Sequence, residues 1–348
     1  MIIPELSAFF QHRGEISRLA PMYDEYYRLN DKPFQLTPDQ RFFFDSQIHN
    51  RAMAYLRYGL TQGEGFVVIT GGTGTGKTML VRALFNDLKD RNIIAAQLVT
   101  TQVEPEDMLR MVCASFGLAH EGKNKATLLN NLARIARTCF ADGNNFLLVV
   151  DEAQNLPERS IEELRMLANF QVEGRSLFQS FLLGQDELWK TLEKPHMEQL
   201  RQRVIASCQL RPLTEEETKG YIDYRLKLVG WNGDPVLEDG LLAGIFAFTD
   251  GVPRRINTLC DRLFLYGCIE EKHALDPDDL GVVQMDLQRE LGHIQRSLEK
   301  TAVEKPANLN TRQHYTEVKL ANGNKSGPSD DRTAVCNITG VVAWAASR

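Results

Sequence analysis

The 348-residue chain has no C-x-x-C pair, no surplus of positive charge, no internal repeat and no apolar run long enough to span a bilayer. Each absence excludes something. The six cysteines, at 113, 139, 208, 260, 268 and 336, are scattered. Several sit in apolar, helix-like contexts, so they read as reduced core thiols rather than as a disulfide framework or zinc ligands. A net charge of −6 and a pI of about 5.7 give no global pull toward nucleic acid or anionic lipid. The N-terminus lacks a charged-then-apolar signal pattern, and the expectation is a cytoplasmic protein without a transmembrane segment. With 43% hydrophobic and 25% charged residues, the composition is that of an ordinary globular chain. It is long enough for one large α/β domain and a smaller appendage.

What is present centres on Gly71-Gly72-Thr73-Gly74-Thr75-Gly76-Lys77-Thr78, a complete G-x-x-x-x-G-K-[ST] loop. Its glycines let consecutive backbone N–H groups turn inward around a phosphate, in conformations that a Cβ would penalise. Lys77 supplies a point charge for β/γ-phosphate oxygens, and the Thr78 hydroxyl is a ligand for Mg²⁺. The apolar, β-branched run Gly65–Thr70 before it reads as a buried parallel strand. After it, Met79, Leu80, Ala83, Leu84 and Leu88 share one helical face. Strand, loop and helix N-terminus therefore come in the order an anion site needs.

A second apolar run, Phe146–Val150, ends in Asp151-Glu152. There Asp151 would hold Mg²⁺ through its water shell, and Glu152 would polarise an attacking water as general base. Asn124-Lys125 is followed by Ala-Thr, so no N-K-x-D guanine motif is present. An efficient water activator argues against a small-molecule kinase. Gln185 ends the next apolar strand, Phe178–Leu183, where a side chain reaches a γ-phosphate and water or simply starts a turn. Arg201 and Arg203 precede a strand at 204–210; they read either as an arginine finger toward a neighbouring subunit or as a solvated basic turn. In Gly251-Val252-Pro253-Arg254-Arg255-Ile256-Asn257, two arginines occupy a helix first turn, against the dipole. An anion such as a γ-phosphate would relieve that penalty, although an exposed pair costs only tenths of a kcal/mol.

Alternating strands and helices up to about residue 211 predict a three-layer α/β/α core with a parallel sheet and the ligand at the strand C-terminal ends. Helical periods at 214–229, 237–248, 254–271 and 277–290 predict an all-α appendage over 212–300. Residues 1–21 read as an extension preceding a better start at Met22, and 301–348 as a disordered tail. The loop Asp31-Lys32-Pro33-Phe34-Gln35-Leu36-Thr37-Pro38-Asp39 and a helix from Ser46 to Leu60 come before the first strand. Pro33 and Phe34 either pack over a bound adenine or serve the core. Leu287, Leu291, Ile294 and Leu298 are spaced for packing on the lid or for a partner helix.

Together these pieces resemble the AAA+ ATPases of the general secretion pathway protein A (ExeA-like) group, over about residues 22–300. The resemblance rests on Lys32-Pro33-Phe34…Thr37-Pro38-Asp39, Gly71–Thr78, Val150–Leu156, Leu182–Gln185, Leu200–Arg203 and Gly251–Asn257. Ala52–Leu60 and Leu200–Cys208 look most like the secretion ATPase encoded with exosortase (PEP-CTERM, XrtA-type) and exopolysaccharide loci. The resemblance implies a P-loop NTPase core of 22–211, a helical lid of 212–300, and ATP with Mg²⁺ bound at the interface of a homo-oligomer. It assigns Lys77 and Thr78 to Walker A, Asp151 and Glu152 to Walker B, and Gln185 to sensor 1. Arg203, or Arg201, becomes the arginine finger and Arg254 sensor 2. It also implies inner-membrane export or polysaccharide-assembly partners.

Two departures stand out. Gly72 replaces the usual glutamate, which removes a side chain but no phosphate donor. The membrane span and peptidoglycan-binding domain of larger relatives have no counterpart after the ATPase, so cell-wall binding is not carried over. Two further readings stay open: a DNA-linked AAA+ regulator, disfavoured by the acidic pI and the lack of a clear helix-turn-helix, and a nucleotide-gated scaffold, disfavoured by an intact Glu152.

Overall fold

The computed structural model describes residues 22–89, 91–99 and 104–303, with side chains described up to 290. A short helix α1 (Tyr23–Tyr26) and a proline-punctuated loop lead to α2 (Gln47–Gln62). Ser46 caps α2 by accepting from the His49 amide, and Gly63 ends it with a left-handed φ of 69°. Strand β1 (Phe66–Gly71) is buried along its whole length and feeds the glycine loop and α3 (Lys77–Asp87). Next come β2 (Ile93–Val99), α4 (Pro105–Ser115), α5 (Lys125–Ala141) and β3 (Asn145–Asp151). After α6 (Glu158–Leu167), a small antiparallel hairpin, β4 (Gln171–Val172) with β5 (Arg175–Ser176), precedes β6 (Phe178–Gly184). Helices α7 (Glu187–Leu192) and α8 (Glu198–Arg201) then lead into β7 (Val204–Leu210).

The five long strands form one parallel sheet in the order β2-β3-β6-β1-β7. Because side chains alternate along a strand, β1 feeds two cores. Phe66 and Val68 join Met108, Leu109, Leu128 and Leu164, from α4, α5 and α6, on one face. Val67 and Ile69 join Ala52, Leu56, Leu80 and Leu84, from α2 and α3, on the other. Three layers result, and the loops after β1, β3 and β6 gather at one edge of the sheet, where the strand order crosses over.

The described residues after β7 are mostly helical: α9 (Glu215–Leu228), α10 (Leu241–Thr249), α11 (Pro253–Ile269) and α12 (Pro277–Val303). A full capping box between Thr214 and Glu217 starts α9, and Pro253 occupies the first turn of α11. One correction applies to the all-α expectation. Two-residue strands β8 (Val236–Leu237) and β9 (Ala274–Leu275) pair in parallel here, too short to leave a periodic trace in the sequence. Among the described residues, those up to Gln284 form one compact unit; from Met285 they belong to a second, whose described part is the helical stretch to Val303. The expectations for residues 1–21 and for 304–348 lie outside the described residues, as do the side chains of Leu291, Ile294 and Leu298.

Candidate nucleotide site

The glycine loop closes on itself before any ligand is considered. Gly74 and Gly76 have φ of 82° and 101°, values open to glycine and costly for other residues. The Thr75 hydroxyl donates to the Gly72 carbonyl at 2.8 Å. Lys77 is only 5% exposed, and its ammonium donates to the carbonyls of Gly71 and Gly72 at 2.8 and 3.0 Å. Burial pulls the Lys77 pKa below the ordinary lysine range, with the Glu152 and Asp151 charges acting the other way.

The end of β3 lies beside this loop. Asp151 Oδ2 is 3.4 Å from the Thr78 hydroxyl, although 73 residues separate the two in sequence. Asp151 is buried, and desolvation raises its pKa; the Glu152 amide, donating to Oδ1 at 3.0 Å, opposes that shift. Gln97 of β2 donates to the same Oδ2 at 3.4 Å. Two hard oxygens at this separation, with a phosphate-binding loop alongside, suit an oxygen-seeking cation such as Mg²⁺.

Glu152 has a left-handed φ of 54°. Gln154 Nε2 donates to its carboxylate at 2.6 Å, while Gln154 Oε1 accepts from the Gln185 amide at 2.9 Å. Gln154 thus ties the carboxylate at the end of β3 to the end of β6. His49 supports the loop from α2. Its Nε2 is 2.9 Å from the Thr75 carbonyl and its Nδ1 is 2.7 Å from the Ser46 hydroxyl. If Ser46 Oγ donates to Nδ1, Nε2 carries the proton and donates to the loop.

A cavity of about 430 Å³ runs from Thr73, Gly74, Gly76, Lys77, Thr78 and Glu152 to Tyr221 and Arg225 of α9 and Arg254 and Asn257 of α11. Residues 35–39 and 42–44 close its far side. Arg254 stands over the loop, its amide 3.3 Å from the Gly74 carbonyl. Arg255, in the same helical turn, is occupied elsewhere, donating to Asp250 at 2.6 Å and to the Phe248 carbonyl at 2.9 Å.

Gln185 does not line the cavity, and Pro33, Phe34, Arg201 and Arg203 lie away from it. Phe34 is fully buried, packed edge-on against Phe264 at 5.4 Å, and neither it nor Pro33 lines the cavity. The loop that carries them contributes Gln35–Asp39 instead. Arg201 and Arg203 sit at the opposite end of the sheet. Arg201 donates to the Leu192 carbonyl at 2.9 Å, and the Arg203 carbonyl accepts from Phe66, at the start of β1. Strand β7 separates Arg203 from the level of Gly71 by about 20 Å, too far for an arginine to reach its own loop. Sequence pattern gave no role to His49, Gln97, Gln154, Tyr221 or Asn257. The nearest signals are the serine N-cap three residues before His49 and the glutamine inside Asp151-Glu152-Ala153-Gln154.

Residues 60–192 match the AAA domain family. This region is an AAA-type P-loop fold. Over 267 residues the chain is 32% identical to "General secretion pathway protein A" of Aeromonas hydrophila, covering 76% of this chain and 48% of that protein. The chain thus spans about half the length of its curated relative. Among solved structures, Cdc6p from Pyrobaculum aerophilum aligns with a TM-score of 0.58 at 16% identity, covering 72% of this chain and 69% of that one. The Aeropyrum pernix ORC2 protein aligns at 0.53 and 14%, covering 72% of each chain. At these identities the structural likeness speaks for the fold alone. Among the described residues no helix is long and apolar enough to cross a membrane.

Proposed function

We propose that this protein is an AAA+ ATPase that binds and hydrolyses ATP with Mg²⁺ to drive or regulate envelope export. The observation that carries the proposal is the meeting of Thr78 and Asp151 oxygens, 3.4 Å apart, beside a lysine held inside a phosphate-binding loop. Mg²⁺, if bound with the nucleotide, would supply positive charge against the charge developing on the phosphates. Thr78 would hold it directly and Asp151 through water. Backbone amides of the Gly71–Thr78 loop, with Lys77, would orient the β- and γ-phosphates. Glu152 would accept a proton from the attacking water, Gln185 would orient that water against the γ-phosphate, and Arg254 would bring lid charge to it. Arg203, with Arg201 as second choice, would serve a neighbouring subunit's nucleotide.

Export is supported by the 32% likeness to the general secretion pathway protein. The refinement to exopolysaccharide or PEP-CTERM/exosortase-linked secretion rests on the stretches Ala52–Leu60 and Leu200–Cys208. On this reading residues 22–211 work as the ATPase core and 212–300 as the lid. The protein forms homo-oligomers and acts in the cytoplasm, against inner-membrane export proteins. The test is steady-state ATP turnover by the full chain, with Glu152→Gln and Lys77→Ala alongside. Mg²⁺-dependent turnover in the wild type is expected. It should drop by ~100-fold or more in Glu152→Gln with ATP still bound, and Lys77→Ala should lose binding as well. A wild type that binds ATP without turning it over, alone or with membranes, would make the protein a nucleotide-gated scaffold.

A further inference from the structure

A buried guanidinium in the lid has no carboxylate partner among the described residues. Arg225 is 5% exposed and donates to the carbonyl of Pro33, to that of Gln35 at 3.5 Å, and to the Tyr221 hydroxyl at 2.6 Å. Its guanidinium also lies over the Phe42 ring, 4.5 Å from the centroid. Burying a charge this way is costly unless every donor is used, so the arrangement calls for a purpose.

Hydrogen-bond polarity along this chain supplies one. A guanidinium only donates, so the Tyr221 oxygen accepts from Arg225 and must send its own proton elsewhere. That proton goes to Asn257, whose side-chain oxygen lies 2.8 Å away. Burial raises the Tyr221 pKa, which keeps the proton in place. The direction of donation therefore fixes which end of the Asn257 amide is oxygen, an orientation that amides do not usually reveal. Its NH₂ end lies on the other side. Asn257 is 8% exposed, lines the cavity, and its Nδ2 has no protein acceptor among the described residues.

Position along α11 says which part of a ligand this donor meets. Arg254 is tied to Gly74 of the phosphate loop. Asn257 lies three residues further on, about 4.5 Å along the helix axis. The cavity wall also carries the side chains of Phe42, Leu213 and Tyr221, with Arg225 over the Phe42 ring. Such a wall suits a base rather than a phosphate.

We infer that Asn257 reads the nucleotide base, its amide NH₂ donating to a ring nitrogen of adenine, with Tyr221 and Arg225 as the residues that set the amide's direction. The inference rests on the ATP reading above. Asn257→Asp keeps the acceptor for Tyr221 and replaces the donors, and Tyr221→Phe removes only the hydroxyl that fixes the amide. The experiment measures Kd of the full chain for ATP, 1-deaza-, 3-deaza- and 7-deaza-ATP, and 2′-deoxy-ATP, in wild type and both variants.

Asn257→Asp should bind ATP about 10-fold more weakly. One deaza analogue should bind the wild type about 10-fold more weakly than ATP does, yet bind Asn257→Asp as well as ATP does. Tyr221→Phe should show a smaller loss and a reduced preference for ATP over that same analogue. Equal binding of all three deaza analogues and ATP by the wild type would overturn the inference, with no need for a folded variant. So would coupling of Asn257→Asp to 2′-deoxy-ATP alone, which would place the amide on the ribose. Failure of the wild type to bind ATP at all would remove the nucleotide reading itself.

Discussion

His49 shows how a single side chain can hold the phosphate loop and make it sensitive to acid. Burial lowers its pKa below the ordinary 6.5, with the bond to the Thr75 carbonyl opposing the shift. As pH falls through 6.5 the unfolded chain takes up this proton before the folded one does. Stability is therefore full above that value and declines below it, until the folded imidazole also titrates. Glutamine can keep a donor toward Thr75 without a titrating group. Melting temperature followed from pH 7.5 to 5 should fall less steeply for His49→Gln than for wild type, and parallel curves would show that other groups carry the acid response. Gln154 makes a different residue-scale case. Gln154→Ala frees Glu152 from the end of β6, and turnover should fall about 10-fold while ATP affinity changes less than 3-fold, as single-turnover and binding measurements would separate. Equal loss in both would assign Gln154 to nucleotide binding.

Among the elements, the turn from the loop into α3 is the most constrained by its neighbours. A Cβ on Gly76 would lie 2.6 Å from His49 Nε2, at a φ of 101°. At Gly72 the nearest atom to an added Cβ is 3.8 Å away. Gly76→Ala should therefore lower stability by roughly 1–3 kcal/mol and lose ATP binding. Adding His49→Ala should recover only part of the loss, because the contact is relieved and the backbone strain is not. Gly72→Glu should shift ATP affinity less than 3-fold. Urea midpoints and Kd values for wild type and the three variants check all of this, and equal damage at Gly72 and Gly76 would mean that the whole loop, rather than its contact with α2, is the constraint.

Those same elements show what the sequence makes legible. The loop, the strands on either side of the site and the helix that begins at Pro253 are local patterns, each with its own period or cap. Gln97, His49 and Gln154 are polar residues without a motif, and their roles come from strand order and helix docking, which sequence spacing does not encode. Phe34 was legible as an aromatic in the right loop, but only packing reveals that it faces Phe264. The β8–β9 pair is two residues long on each side and brings together segments 38 residues apart, so no local signal exists for it.

Across the whole molecule, the placement of Arg203 decides what kind of machine is possible. It lies at the start of β7, about 20 Å from the phosphate loop of its own chain, while Arg254 already stands over that loop. On the proposed reading, an arginine in that place serves a second copy that presents its nucleotide there. Arg203→Ala should then abolish turnover while leaving ATP affinity within about 2-fold of wild type, because the subunit's own site is untouched. Mixing provides the sharper measurement. Arg203→Ala chains keep an intact loop and lack the arginine; Lys77→Ala chains lack the loop and keep the arginine. In mixed assemblies an Arg203→Ala site can face the arginine of a Lys77→Ala neighbour, so two inactive preparations should regain turnover when combined, with a maximum at intermediate ratios. The regained rate should rise with total protein concentration, as assembly requires. If the mixture stays inactive while wild-type turnover is independent of concentration, hydrolysis is completed within one chain, and Arg203 serves only the packing at the start of β1.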